Sequence, residues 1–131
     1  MLTPGGTTST RQREALDQVE AELRGILVPY EGRLETAAIY GMEVLRRTGA
    51  KAHDWFAGVE QTNGVVKFNF LPMHGHPELL EGVSPELLKH RTGASVFKFT
   101  EFDEALVKEL AGVVARGFKV YAGRRKKRPT P

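Results

Sequence analysis

The chain has 131 residues, no cysteine, 40% hydrophobic residues, and 19 Lys and Arg against 16 Asp and Glu. That length suits one domain with a single core. The composition excludes disulfides, thiolate metal sites and thiol chemistry, and no run approaches the roughly 20 apolar residues that cross a bilayer.

Charge is distributed unevenly. Arg124, Arg125, Lys126, Lys127 and Arg128 are consecutive, and setting these five aside leaves 14 basic residues against 16 acidic ones. The formal net charge of +3 therefore belongs to the tail. A slightly acidic body is a poor footprint for a nucleic-acid groove, whereas the tail alone should bind polyanions weakly and without sequence preference. No basic cluster precedes an apolar core at the start of the chain, so no secretory signal is expected. A reducing cytoplasmic setting and no membrane partner fit these features.

Residues 1–9 include Pro4, Gly5, Gly6 and several threonines, a composition expected to remain disordered. A helix is predicted over 10–28, capped by Ser9 or Thr10, because Leu16, Val19, Leu23, Ile26, Leu27 and Tyr30 recur at three- and four-residue steps. Pro29 lacks the N–H that continues the ladder and should end or kink it. Residues 37–45 are rich in strand formers but contain Gly41, which reads as two short strands or one interrupted strand. Residues 53–60 and 65–71 flank Asn63-Gly64, a dipeptide that accepts positive φ and marks a hairpin. Val66, Phe68 and Phe70 alternate with Lys67 and Asn69, which predicts one apolar and one polar face.

Residues 71–93 form a long connection punctuated by Pro72, Pro77 and Pro85. Short helical turns are predicted over 77–81 and 85–89, the second capped by Ser84. A strand over 95–99 follows, and Thr100 with Asp103 has the form of a capping box. Leu106, Val107, Leu110, Val113, Val114, Phe118 and Tyr121 then make the apolar stripe of a last helix, which Gly123 should end. The division is thus a disordered 1–9, a domain over 10–122 and a basic disordered tail over 123–131. The order of elements argues for an α+β fold: a single antiparallel sheet with the N- and C-terminal helices packed on one face.

Four features occur in a fixed order: Tyr40-Gly41-Met42; Trp55-Phe56-Ala57 through Val65-Val66-Lys67-Phe68; His76-Pro77-Glu78-Leu79-Leu80-Glu81-Gly82; and Ser95-Val96-Phe97-Lys98-Phe99 ahead of an amphipathic helix. In this order the chain resembles the YdhG-like domain family of small bacterial proteins, mostly of unknown function, over residues 12–122. Glu43 stands where many members carry proline. The resemblance implies a frataxin-like sandwich. It also implies weak iron binding and an iron-accepting partner protein, since at least one member is regarded as an intracellular iron chaperone. Frataxin-like proteins hold iron through carboxylates on the first helix and adjoining strand, which points to Glu14 and Asp17.

Two sets of candidate ligands follow. His74-Gly75-His76, with Glu78 and Glu81 after it, offers nitrogen and oxygen donors to Zn²⁺, Ni²⁺ or Fe²⁺, although such a pair is more often a solvated loop. The first helix carries Glu14, Asp17, Glu20 and Glu22, but Arg13 and Arg24 stand four residues from Asp17 and Glu20, the spacing of paired surface charges. Lys67 and Asn69, with Asp54, Glu60 and Lys98 from neighbouring strands, offer an open, mixed-charge sheet face that suits a partner protein or no partner at all. The chain contains no Gly-rich phosphate loop, no His-Glu-x-x-His, no Gly-x-Ser-x-Gly and no dinucleotide fingerprint, which leans the reading away from an enzyme. Two functions remain open: iron binding or delivery, and an interaction module that meets a protein or polyanion through its sheet face or basic tail.

Overall fold

Alternation within the strands determines how the layers meet. In the computed structural model, residues 10–39, 42–49 and 54–126 are described, the last five as backbone. One sheet runs in the order β1 (Glu35–Ile39), β2 (Met42–Arg46), β3 (Ala57–Thr62), β4 (Val65–Phe70), β5 (Val96–Phe99), and every neighbouring pair is antiparallel. The 37–45 stretch is thus two strands, with Ile39 opposite Met42. Asn63 (φ 50°) and Gly64 (φ 80°) form the two-residue turn between β3 and β4, both in the left-handed region that such hairpins require.

Cross-strand pairs place Ala57 opposite Phe70, Val59 opposite Phe68, and Phe68 opposite Phe97, all on one buried face. Helices α1 (Thr10–Glu31) and α4 (Glu104–Lys126) cover that face. Leu16, Val19, Leu23, Ile26 and Leu27 come from the first helix, and Leu110, Val113, Val114, Phe118 and Tyr121 from the last. Each such side chain removed from water contributes about 1.5–3 kcal/mol, so both amphipathic stripes depend on the same sheet.

Several local expectations are corrected. Helix α1 passes Pro29 and ends at Glu31. The missing N–H deprives only the exposed Gly25 carbonyl, one turn from the helix end, where water can replace it. Helix α4 is capped by Asp103, whose Oδ1 accepts the Leu106 N–H at 3.2 Å, and Thr100 lies outside it. Aspartate is itself a better N-cap than threonine, so the start moves downstream. Gly123 does not end this helix; a glycine costs about 0.5–1 kcal/mol there, and the helix continues to Lys126. Asn69 was placed on a solvated face but is 8% exposed, and its side-chain N–H donates to Met42 Sδ at 3.0 Å. Ile39 and Val44, also buried, lie outside the main core cluster, and the register sets Val44 on the face opposite Leu45 and Ala57. The β1–β2 hairpin therefore brings apolar groups to the outer face. Residues 1–9, Ser9 included, and 127–131 lie outside the described residues, as do their expected disorder and the end of the tail.

The long connection holds α2 (Pro72–Gly75), a 3₁₀ turn (Pro77–Leu80) and α3 (Pro85–Leu88). The last two match the predicted turns; α2 is an addition where the sequence predicts a connection. Ser84 caps α3 by accepting the Leu87 N–H at 3.2 Å, and its own N–H and Oγ donate to the Glu109 carboxylate at 2.7 and 2.6 Å. This bond network ties α3 to α4. After α3 the chain returns along the outer edge of β5: Lys98 N–H donates to the His90 carbonyl, Thr92 N–H to the Val96 carbonyl, each at 2.8 Å, and Arg91 bridges Phe97.

Gly117 of α4 lies directly against Phe70, and a Cβ there would overlap the edge of that fully buried ring. Gly→Ala in a helix interior ordinarily stabilises by up to about 1 kcal/mol. Gly117→Ala should instead destabilise by about 1–3 kcal/mol in urea melts. Gly112→Ala is the control, since its Cβ would meet only Arg116 Nη1 at 3.8 Å. Equal gains in both variants would mean that Phe70 yields.

Glu109 titrates below the ordinary carboxylate value of 4.5, chiefly because the Ser84 hydroxyl and then the Ser84 N–H bond its charged form. With the folded pKa depressed, its stabilising effect is complete above the unfolded value and is lost as pH falls through the folded one. The melting-temperature gap between the wild type and Glu109→Gln should therefore be widest near neutrality and close in acid. A gap that stays constant would assign the effect to shape, not charge.

Candidate ligand-binding cleft

Tyr121 follows Phe118 by three residues, so α4 presents both rings to the same side. Their centroids each lie 5.4 Å from Phe56, the residue that leads into β3. The Tyr121 ring is 2% exposed, yet its hydroxyl reaches the backbone on both sides of the β2–β3 connection. It accepts the Arg47 N–H at 2.9 Å and donates to the Asp54 carbonyl at 3.3 Å. The Arg47 guanidinium pairs with the Asp54 carboxylate and lies 4.9 Å from the centre of the Tyr121 ring. One hydroxyl, one ion pair and one cation–π contact thus close the base of the connection.

Beside this clamp opens a cleft of about 250 Å³, lined by Asp54, Trp55, Leu71, Pro72, His74, Gly75, His76 and Tyr121. Helix α2 forms one wall because the Leu71 N–H donates to the Phe56 carbonyl at 3.1 Å. Pro72 opens the helix and is itself buried. Both histidines of the sequence motif therefore face one concavity. His74 is exposed; His76 is half-buried, with Nδ1 3.2 Å from Glu78 Oε2. Glu78 titrates lower than usual, first through a bond from its own backbone and then through His76. Burial raises the Tyr121 hydroxyl above its ordinary value of 10.0.

The acids of α1 are elsewhere. Glu14 and Asp17 are exposed, and Asp17 Oδ1 accepts from Gln61 Nε2 at 3.2 Å, which also donates to Glu20 Oε1 at 2.7 Å. Glu20 pairs with Arg24 at 2.8 Å as the spacing predicts, whereas Asp17 turns to the strand and not to Arg13. Glu14 joins neither group. The structure thus brings His74 and His76 together, and Asp17 with Glu20, but does not bring these two sets into one site. Among the described residues, no group of three or more His, Asp or Glu is placed to hold a metal ion.

On the outer sheet face, Lys67 stands opposite both Glu60 and Lys98. The backbone of Arg124, Arg125 and Lys126 continues α4, while Lys127 and Arg128 lie outside the described residues. No helix among those described is long and apolar enough to cross a membrane.

Arg47 and Tyr121 carry no sequence motif that marks them as site residues. Tyr121 reads as part of a core stripe, and its hydroxyl was the only signal of a second use. No protein-family model, curated protein or solved structure matches the chain.

Tyr121→Phe leaves the Arg47 N–H and the Asp54 carbonyl without their common partner, which should cost about 1–3 kcal/mol. Because the folded pKa of Tyr121 is raised, its contribution is complete below the unfolded value and lost as pH rises through the folded one. Melts across about pH 8–11 should therefore show an alkaline decline that is weaker in the variant. Identical declines would remove Tyr121 as their source.

Proposed function

We propose that the protein is a YdhG-like binding module whose ligand site is the cleft beside the Arg47–Asp54–Tyr121 clamp. The order of helices and strands supports the family reading. The observation that carries the site is convergence: Asp54 and Trp55 ahead of β3, two imidazoles on and after α2, and Tyr121 of α4 all meet at one concavity. Neither imidazole belongs to the core cluster. The volume lies just below the roughly 300 Å³ at which ordinary ligand pockets begin. Trp55, Leu71 and Pro72 supply apolar walls, with the second Asp54 oxygen and His74 as polar contacts. A small molecule with a flat apolar body and one polar end fits this set. Amide-shift mapping with a panel of small aromatic acids and amines should place the responses at Trp55 and residues 74–76. The His74→Ala/His76→Ala variant should weaken the best binder about tenfold. Responses elsewhere, or unchanged affinity in the variant, would overturn this reading.

A second reading rests on Asp17, Glu20 and Gln61. Two carboxylates from adjacent turns of α1 meet an amide of β3, the helix-and-strand arrangement that the resemblance associates with iron. Turning the Gln61 oxygen inward would give three hard donors suited to ferrous ion, for delivery to an accepting protein. Arg24 already neutralises Glu20, so affinity should be about micromolar at best. Anaerobic calorimetry with ferrous ion alone should give a saturable heat that Asp17→Asn/Glu20→Gln abolishes and His74→Ala/His76→Ala preserves. No heat, or heat indifferent to the acid substitutions, would exclude it.

A further inference from the structure

The two edges of the sheet are treated differently. Along β5 the returning 90–92 segment takes up the outer backbone groups. Along β1 all five residues pair with β2 in unbroken register, and among the described residues no other backbone partner meets them. Natural sheets usually protect such an edge with proline, lysine, a bulge or a covering segment. Glu35-Thr36-Ala37-Ala38-Ile39 has neither proline nor lysine, and its register has no bulge. Its one charge, Glu35, is paired with Arg46 at 2.9 Å, so the edge is neutral. Thr36 and Ala38 are exposed and small, so among the described residues no bulky side chain of β1 itself opposes an approaching strand.

A second observation lies on the same side. Val28 is 57% exposed, one of two large apolar side chains so exposed among the described residues. It shares a helix face with Arg24 and Glu31, which with Thr36 and Glu43 line a shallow wedge between α1 and the β1–β2 hairpin. A strand added to β1 would bring new surface to this wedge.

We propose that the protein dimerises through β1, joining two sheets into one continuous antiparallel sheet. A second copy is the occupant because the strand is self-complementary. With the two-fold axis at Ala37, each Ala37 faces its copy, Thr36 faces Ala38 and Glu35 faces Ile39, so no like charges meet. Five residues per strand bury less than the roughly 1,200 Å² of a standard interface, which makes the dimer weak and concentration-dependent.

Sedimentation of the full chain from about 1 μM to 1 mM should show a monomer–dimer equilibrium. Thr36→Lys/Ala38→Lys sets lysine against lysine in this register and should weaken dimerisation about tenfold or more. Thr36→Lys/Ala38→Glu sets opposite charges face to face and should restore it. Both positions are solvent-exposed in the monomer, so melting temperatures at low concentration should agree with the wild type. A chain that stays monomeric throughout, a dimer indifferent to the lysine pair, or equal weakening by both variants would each overturn the proposal.

Discussion

Phe56 is the junction on which the rest of the structure depends. Its ring meets Tyr30 of α1, Phe70 of β4, and Phe118 and Tyr121 of α4 at centroid distances of 5.4–5.6 Å. Three of the four contacts are edge-on and the fourth, to Tyr121, is tilted, all within the range that aromatic pairs favour. Its backbone is equally committed: the N–H donates to the Leu45 carbonyl at 2.7 Å, and the carbonyl accepts from Leu71. One residue thus joins the β1–β2 hairpin, the central strands, α2 and both long helices. The ladder between β2 and β3 is also short, with Leu45 opposite Ala57 as its one register pair among the described residues. Phe56 adds to that pair a core anchor, while Gly58 lets β2 approach β3 closely enough that a Cβ there would overlap Glu43 and Val44.

The same junction explains why a cleft stands beside the core and not within it. Tyr121 must present its ring to Phe56, which leaves the hydroxyl pointing past the core edge to the chain on either side of residues 48–53. A phenol is protonated near neutrality and can donate to the Asp54 carbonyl, and burial extends that state further into alkaline pH. The Arg47–Asp54 pair sits partly exposed, so its electrostatic worth alone would be small. Its value lies in geometry: with Tyr121 it holds the start of β3 at a set distance from α4, and so fixes one wall of the cleft.

Both long helices and the β3–β4 hairpin were legible in the sequence, because burial on one face leaves a period of 3.6 or 2 that a sequence retains. Val66, Phe68 and Phe70 alternate as expected and are buried or nearly so. The boundaries were less legible, since they turn on small competing terms. Pro29 and Gly123 each penalise a helix, but one lost bond or about 1 kcal/mol does not outweigh continued helical geometry. Asn69 departs from its expected exposure for a different reason. Alternation gives the face a residue lies on, not what a side chain from another strand lays over that face, and here Met42 of β2 does so. The site was the least legible part. Arg47, Asp54, Leu71 and Tyr121 are brought together only by tertiary pairing, and no spacing rule links positions so far apart. The histidine pair was visible, but its position on one wall of a cleft depended on a four-residue helix read as loop.

That short helix would be marginal by itself, and its rigidity comes from its anchors. Leu71 N–H is bonded to Phe56, Met73 is fully buried, and the 3₁₀ turn after it contributes Leu79 to the core. Arg116 of α4 donates to the Leu79 carbonyl at 3.3 Å, binding the segment from the other side. His74 and His76 thus stand on backbone held by core packing at both ends, while their side chains remain accessible. Rigid backbone with accessible polar side chains is what lowers the ordering cost of binding, because little backbone freedom remains to be lost when a ligand arrives. The outer edge of β1 has the same character: five residues fixed by β2 on one side and unpaired among the described residues on the other. In both places the fold has already met the entropy cost of ordering the chain, and the interaction capacity left over faces outward.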